Sequence, residues 1–192
     1  MLVDWRFARR VIGKRLGWTV PIENEDRRVL ETIIFPYCLG RGARSVLFVG
    51  CDWYTRHYQR HFFEGIDFWT IEVDPRKRKY GARQHLVAPL EELERHVPEE
   101  RFDLILCNGV YGWGLDGREQ CEAAFRQCRS RLRPGGLLVI GWDDVPEHDP
   151  LDLDELTSLR AFDRHAVPVL DHQWRYVTDT PYRHTYDFYE KR

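Results

Sequence analysis

The sequence predicts an α/β domain: a doubly wound, mostly parallel seven-stranded sheet with a C-terminal antiparallel hairpin, preceded by N-terminal helices. Three observations predict it. Five short apolar runs alternate with polar, helix-compatible stretches across residues 45–141, the pattern of strands joined by crossover helices. Two aromatic and β-branched runs farther along flank a short loop, the pattern of a hairpin. The chain has 192 residues, 43% apolar and 14% aromatic, which is enough for one substantial core and too little for two independent domains.

The elements follow in order. Residues 1–18 are basic and carry aromatic side chains. At about 100° per residue Trp5, Ile12 and Leu16 share one side, while Phe7, Val11 and Trp18 lie nearly opposite. Two apolar faces favour a helix sandwiched against the domain, with contact at an anionic membrane surface as the alternative. From Glu23 to Cys38, Val29, Leu30, Ile33, Ile34 and Tyr37 recur at helical spacing, and Gly40 and Gly42 stop the pattern. This divides one structural domain into an N-terminal helical segment, residues 1–40, and the sheet-bearing body, residues 41–192.

Ser45 to Gly50 reads as the first buried strand, because its apolar run is too short for a helix and ends in glycine. Phe68 to Glu72, His85 to Val87, Phe102 to Cys107 and Leu137 to Gly141 are the next four, separated by helical stretches at 54–63, 75–81, 90–96 and 117–132. Right-handed crossovers then place helices on both faces. Residues 143–160 read as a loop plus a short helix able to cover a site. Trp174 to Thr178 and His184 to Tyr189 form the hairpin around residues 179–183.

Charge and cysteine content narrow the function. Lys and Arg number 29 against 31 acids, a net charge of −2, so no chain-wide attraction to nucleic acid is expected. Cys38, Cys51, Cys107, Cys121 and Cys128 form no C-x-x-C pair and no metal-ligand spacing, as expected of reduced thiols in a cytoplasmic chain. No apolar run approaches the roughly 18–20 residues that span a bilayer, and residues 1–20 lack a signal-peptide pattern.

In an open parallel sheet the ligand sits beyond the carboxyl ends of the strands. The first such turn contains Gly50, Cys51 and Asp52, where glycine lets the backbone approach a ligand. The second strand ends in Glu72, 22 residues after Gly50, so Glu72 or Asp74 is placed to accept hydrogen bonds from a ribose diol; helix capping is the alternative role. The turn from Asn108 to Asp116 concentrates glycine, aromatics and polar groups, which suits contact with a substrate. Tyr111, Trp113, Trp142 and Asp143 are the candidates there. Trp53, Trp113 and Trp142 could cover a cationic ligand or serve only as core, and Asp143, Asp144 and His148 could receive a proton or simply shape a turn. Arg76 to Lys79 would suit the 2′-phosphate of NADP, but no G-x-G-x-x-G accompanies it. His57, His61, Asp52 and Glu72 lack a coherent metal-ligand pattern.

The segments SVLFVGCDWYT (45–55), FWTIEVDP (68–75), RFDLILCNGVYGWGLD (101–116) and LRPGGLLVIGW (132–142) resemble, in order and spacing, those of class I S-adenosylmethionine-dependent methyltransferases. The resemblance covers roughly residues 25–192. It implies a Rossmann-like methyltransferase fold, S-adenosyl-L-methionine as cofactor, and transfer of a methyl group to oxygen or nitrogen of a small-molecule or glycan acceptor. By position it assigns Gly50, Cys51 and Asp52 to the methionine part, Glu72 to the ribose, and Val87, Ala88 and Asn108 to the borders of adenine and substrate. The family usually carries an acid two residues before the first loop glycine and two further glycines after it, where this chain has Phe48, Asp52 and Tyr54. Asp52 either meets the ligand's ammonium in place of the missing acid or caps the next helix. The altered loop also fits a methyltransferase-like scaffold that has lost catalysis.

Overall fold

A computed structural model describes residues 24–148 and 151–192. The basic segment 1–18 lies outside the described residues. The first described helix begins as α1 (Glu25–Val29), widens into a π-helical turn over Leu30–Ile34 and continues as α2 (Phe35–Gly40). Pro36 near the start of α2 has no N–H to return to the preceding turn, a common cause of such irregularity. Gly42, at φ 96°, then takes the chain out of the helix.

Among the described residues the sheet has eight strands: β1 (Ser45–Val49), β2 (Asp67–Glu72), β3 (Gln84–Val87), β4 (Phe102–Asn108), β5 (Leu132–Asp143), β6 (Asp163–Arg164), β7 (Arg175–Val177) and β8 (His184–Glu190). Their spatial order is β3-β2-β1-β4-β5-β8-β6, with β7 also on β8. Strands β1 to β5 pair in parallel, and β8 runs antiparallel to β5, β6 and β7. The hairpin expected from sequence is β7 and β8, with Tyr176 opposite Tyr186. Where seven strands were expected, the outer position beside β8 is shared by two short ones, β6 and β7.

The central strands β1, β4 and β5 are buried on both faces, which explains their unbroken apolar runs. Val46 and Phe48 of β1, Leu104 and Leu106 of β4, and Leu137 and Val139 of β5 join Leu30, Ile34 and Phe35 in one core layer. The intervening residues Leu47, Val49, Ile105, Cys107, Leu138 and Ile140 face the other layer, with Cys121, Phe125 and Cys128. Those last three lie on α4 (Arg118–Arg131), the one long crossover helix predicted at full length.

The remaining crossovers are either shorter than their sequence suggests or wound as 3-10 rather than α-helix. The stretch 54–63 is helical only at α3 (Tyr58–His61). The stretches 75–81 and 90–96 are 3-10 helices, Pro75–Tyr80 and Leu90–Arg95. After β5 come a 3-10 turn, Leu153–Glu155, and α5 (Thr157–Arg160). All five cysteines are free and buried, and no described helix is long and apolar enough to cross a membrane.

Candidate active site

A cleft of about 790 Å³, counting its open mouth, lies beyond the carboxyl ends of β1, β2 and β4. Gly50 forms its floor. Its φ of 84° is left-handed, and a Cβ there would come within 2.7 Å of Val110 Cγ2 on the turn after β4. Both facts demand glycine: the conformation excludes ordinary side chains, and the close approach of the two turns leaves no room for one. The Gly50 N–H is spent on Ile71 O at 2.9 Å, which ties the turn to β2.

Glu72 sits at the end of β2 and braces both neighbouring turns. Its Oε2 accepts from Cys51 N and its Oε1 from Asp74 N, each at 3.0 Å. Each carboxylate oxygen offers two lone pairs, so acceptor capacity toward the cleft remains. Asp74 accepts from Arg76 N at 2.9 Å and pairs with the Arg76 guanidinium, so it caps the 3-10 helix. Lys77 turns the other way, placing Nζ 3.3 Å from Asp52 Oδ2 and 3.9 Å from Glu72 Oε2. Partial burial works against the charge on Lys77, but Glu72 and Asp52 outweigh it and hold its pKa above the ordinary value.

Asp52 does not cap a helix. The next helix starts only at Tyr58, whose N-cap is His57, while Asp52 Oδ1 accepts from Trp53 N at 2.7 Å within a turn closed by Thr55. Phe48, standing where the family has an acid, is buried in the core edge-on to Tyr58, with ring centroids 5.3 Å apart. Tyr54, standing where the family has a glycine, lines the cleft and carries the Arg27 guanidinium 4.5 Å from its ring. Burial pushes the Cys51 thiol up to about 12, so it is no nucleophile at neutral pH.

Asn108 ends β4 and lines the cleft on the side opposite Glu72. Its Oδ1 lies 3.2 Å from His184 Nε2, and His184 Nδ1 lies 2.5 Å from Asp143 Oδ1. The second Asp143 oxygen accepts from Trp113 Nε1 at 3.3 Å. Trp113 is 57% exposed at the rim and stacks on His148, with centroids 3.9 Å apart.

The structure therefore gathers Gly50, Cys51, Glu72, Ala88, Asn108 and Trp113 around one cleft. Val87 stands exposed at the end of β3 and outside the lining, while Asp52 is held by Lys77 at the mouth. Two sequence expectations need correction. Tyr111 is fully buried and hydrogen-bonds the backbone of Leu151, and Trp142 is buried edge-on to Tyr111; neither lines the cleft. Both belong to the layer with α4, because the turn brings Tyr111 under the loop after β5. Sequence reasoning missed Lys77 as a cleft residue and missed His184 entirely. The signal for His184 was a polar residue opening the otherwise aromatic face His184-Tyr186-Phe188. Among the described residues no group of three His, Cys, Asp or Glu could hold a metal ion.

Residues 47–140, which contain the Gly50 turn, β2, the Asn108 turn and most of β5, match the family described as methyltransferase domain. The matched segment is a methyltransferase domain, and the chain has the class I methyltransferase fold. Among curated proteins, malonyl-[acyl-carrier protein] O-methyltransferase 2 of Ilyobacter polytropus is 31% identical over 78 residues, 39% of this chain and 29% of that protein. Alpha N-terminal protein methyltransferase 1 of Caenorhabditis elegans is 29% identical over 126 residues, 63% of this chain and 50% of that protein. The chain thus spans half or less of these relatives' length. Among solved structures, the N-methyltransferase NodS of Bradyrhizobium japonicum with S-adenosylhomocysteine aligns at TM-score 0.66 and 16% identity, covering 88% of this chain and 89% of that one. A TehB-like methyltransferase of Corynebacterium glutamicum aligns at TM-score 0.60 and 15% identity, covering 97% of each. At these identities the structures speak for the methyltransferase fold.

Proposed function

We propose that the cleft binds S-adenosylmethionine and that the chain transfers its methyl group to an oxygen or nitrogen of a small-molecule or glycan acceptor. The observation that carries this reading is Gly50, whose left-handed turn and missing side chain keep a cradle open between the β1 and β4 turns. The residues present fit the cofactor. Glu72 would accept from the ribose hydroxyls, Ala88, Leu90 and Val110 would flank the adenine, and Asn108 and Trp113 would border the acceptor, while Asp52, beside the lining residue Lys77, would face the amino-acid tail. The cofactor supplies an electrophilic sulfonium methyl. The chain's contribution is to hold donor and acceptor in line and to exclude water, which requires no strong base. Five free, buried thiols and a net charge of −2 accord with a cytoplasmic enzyme acting on a small acceptor rather than on nucleic acid. The named relatives methylate oxygen in one case and nitrogen in another, so the acceptor atom stays open between the two.

One observation favours a second reading, a methyltransferase-like scaffold without catalysis. Lys77 already neutralises Asp52 and approaches Glu72, so the carboxylates nearest the loop have partners within the chain. Calorimetry separates the two, with S-adenosylhomocysteine as ligand and NADP as control. Binding of S-adenosylhomocysteine alone is the expected result. Silence at about millimolar ligand, a binding energy near −4 kcal/mol, would leave the scaffold reading.

A further inference from the structure

Asn108, His184 and Asp143 come from three adjacent strands, β4, β8 and β5, and form a chain that runs from the cleft wall into the sheet. His184 is buried, with its ring nitrogens 2.5 Å from Asp143 Oδ1 and 3.2 Å from Asn108 Oδ1. Gly141 lies opposite Asn108 in the β4–β5 register. A Cβ there would overlap the Asn108 amide oxygen and stand 3.0 Å from His184 Nε2, so the hydrogen bond passes through the space that glycine leaves.

The chemistry of this chain is constrained at both ends. An ionised Asp143 accepts from Nδ1–H. A neutral imidazole has only that one proton, so its Nε2 is then an acceptor and requires the Asn108 NH2 opposite it. A protonated imidazole donates from both nitrogens and requires the Asn108 oxygen. The two ends of an amide have nearly the same shape, so Asn108 can turn over in place. We infer that His184, held by Asp143, decides which end of the Asn108 amide faces the cleft, and through it which acceptor chemistry the cleft accepts. With the ring neutral, the amide oxygen faces the cleft and receives an acceptor's N–H. With the ring protonated, the amide N–H faces the cleft and meets an oxygen lone pair. The proton exchanges with solvent and no other bond changes.

Other groups around the ring are the Tyr186 phenol on β8, 4.8 Å away between centroids, and Tyr182 in the preceding loop at 6.4 Å. Tyr182 donates to Asp26 on α1 at 2.9 Å, and Asp144 pairs with Arg183 beside the strand's start at 3.0 Å. None of these replaces Asp143 as the partner of Nδ1.

The inference rests on the methyl-transfer reading only for its consequence; the orientation can be read on the full chain without any acceptor. Nuclear magnetic resonance of 15N-labelled protein follows the His184 ring nitrogens and the Asn108 side-chain amide between about pH 5 and 8. Both should titrate with one midpoint. Asp143→Asn should lower that midpoint for both together, since the ring loses its anion. Gly141→Ala should leave His184 titrating while Asn108 no longer follows, and if that variant does not fold, Asp143→Asn carries the test. An Asn108 amide indifferent to the titration of His184, or a ring held in one state throughout, overturns the inference. With S-adenosylhomocysteine bound, ethylamine should perturb Asn108 above the midpoint and acetate below it. The absence of that reversal overturns the acceptor selection. Failure of S-adenosylhomocysteine to bind would instead overturn the functional reading and leave the amide titration standing.

Discussion

Lys77 reaches across the mouth of the cleft to Asp52, with 3.3 Å between Nζ and Oδ2, so the chain carries its own ammonium beside the loop carboxylate. A ligand ammonium must compete with it. Both side chains are partly exposed, 37% and 29%, and such a pair is worth about 0.2–1 kcal/mol. Lys77→Met should therefore tighten S-adenosylhomocysteine by up to about fivefold. Methylthioadenosine, which lacks the amino-acid tail, should bind as before. Asp52→Asn should weaken only the tailed ligand. Parallel changes in both ligands, measured by calorimetry, would remove Asp52 from the tail site.

Glu72 is a brace as well as a candidate ribose ligand. Glu72→Ala removes the acceptor of two backbone N–H groups, and hydrogen bonds to a charged group are worth about 1.5–3 kcal/mol each. Urea unfolding should show a loss of about 2 kcal/mol or more, and ligand affinity should fall at least about tenfold. Full stability with lost affinity would show that the loop bonds are dispensable and that Glu72 serves the ligand alone.

Gly50 and Gly109 give a matched pair for separating strain from crowding. Both have positive φ, 84° and 66°, but an added Cβ meets Val110 at Gly50 and nothing within 4 Å at Gly109. Gly109→Ala should cost about 1–2 kcal/mol from conformation alone. Gly50→Ala should cost more and abolish ligand binding, and Val110→Ala in the same chain should recover part of the stability. Equal costs in thermal unfolding would place the restriction in the backbone rather than in the contact.

Alkaline pH should weaken the fold through its thiols. Burial pushes Cys38, Cys51, Cys107 and Cys121 up to about 12, so the folded chain keeps protons that the unfolded chain releases. Raised folded-state pKa values give stability that is complete below the unfolded value, about 8.5, and declines as pH rises toward the folded one. Urea midpoints should fall between about pH 8 and 10, each thiol adding up to about 1.4 kcal/mol per unit. A flat profile across that range would contradict the burial of these thiols.

The parallel strands were legible because a strand covered on both faces must be apolar along its length, and Val46 to Val49 and Leu104 to Cys107 are. The crossovers were less legible. Helical composition over residues 54–63 does not reveal that Asp52 and Thr55 close a turn first, leaving only Tyr58 to His61 for the helix. In the site, glycine at a strand end and an acid at the next were readable as Gly50 and Glu72. His184 was not, because its partners lie 41 and 76 positions away and meet it only through the antiparallel pairing of β8. Tyr111 was misread for the converse reason: an aromatic in a glycine-rich turn suggests exposure, yet the loop after β5 folds over it.

Of the described strands β8 comes last in sequence, yet it lies inside the sheet, between β5 on one side and β6 and β7 on the other. As the chain leaves the ribosome, β1, β2 and β4 can assemble with the Gly50 turn and Glu72 while β5 still shows an open edge. The buried support that His184 gives Asn108 comes into being only when residues 184–190 slot beside β5. The cleft lining can thus form before the histidine that backs Asn108 arrives, and a nascent chain paused before β8 would leave the β5 edge open to pairing with other chains.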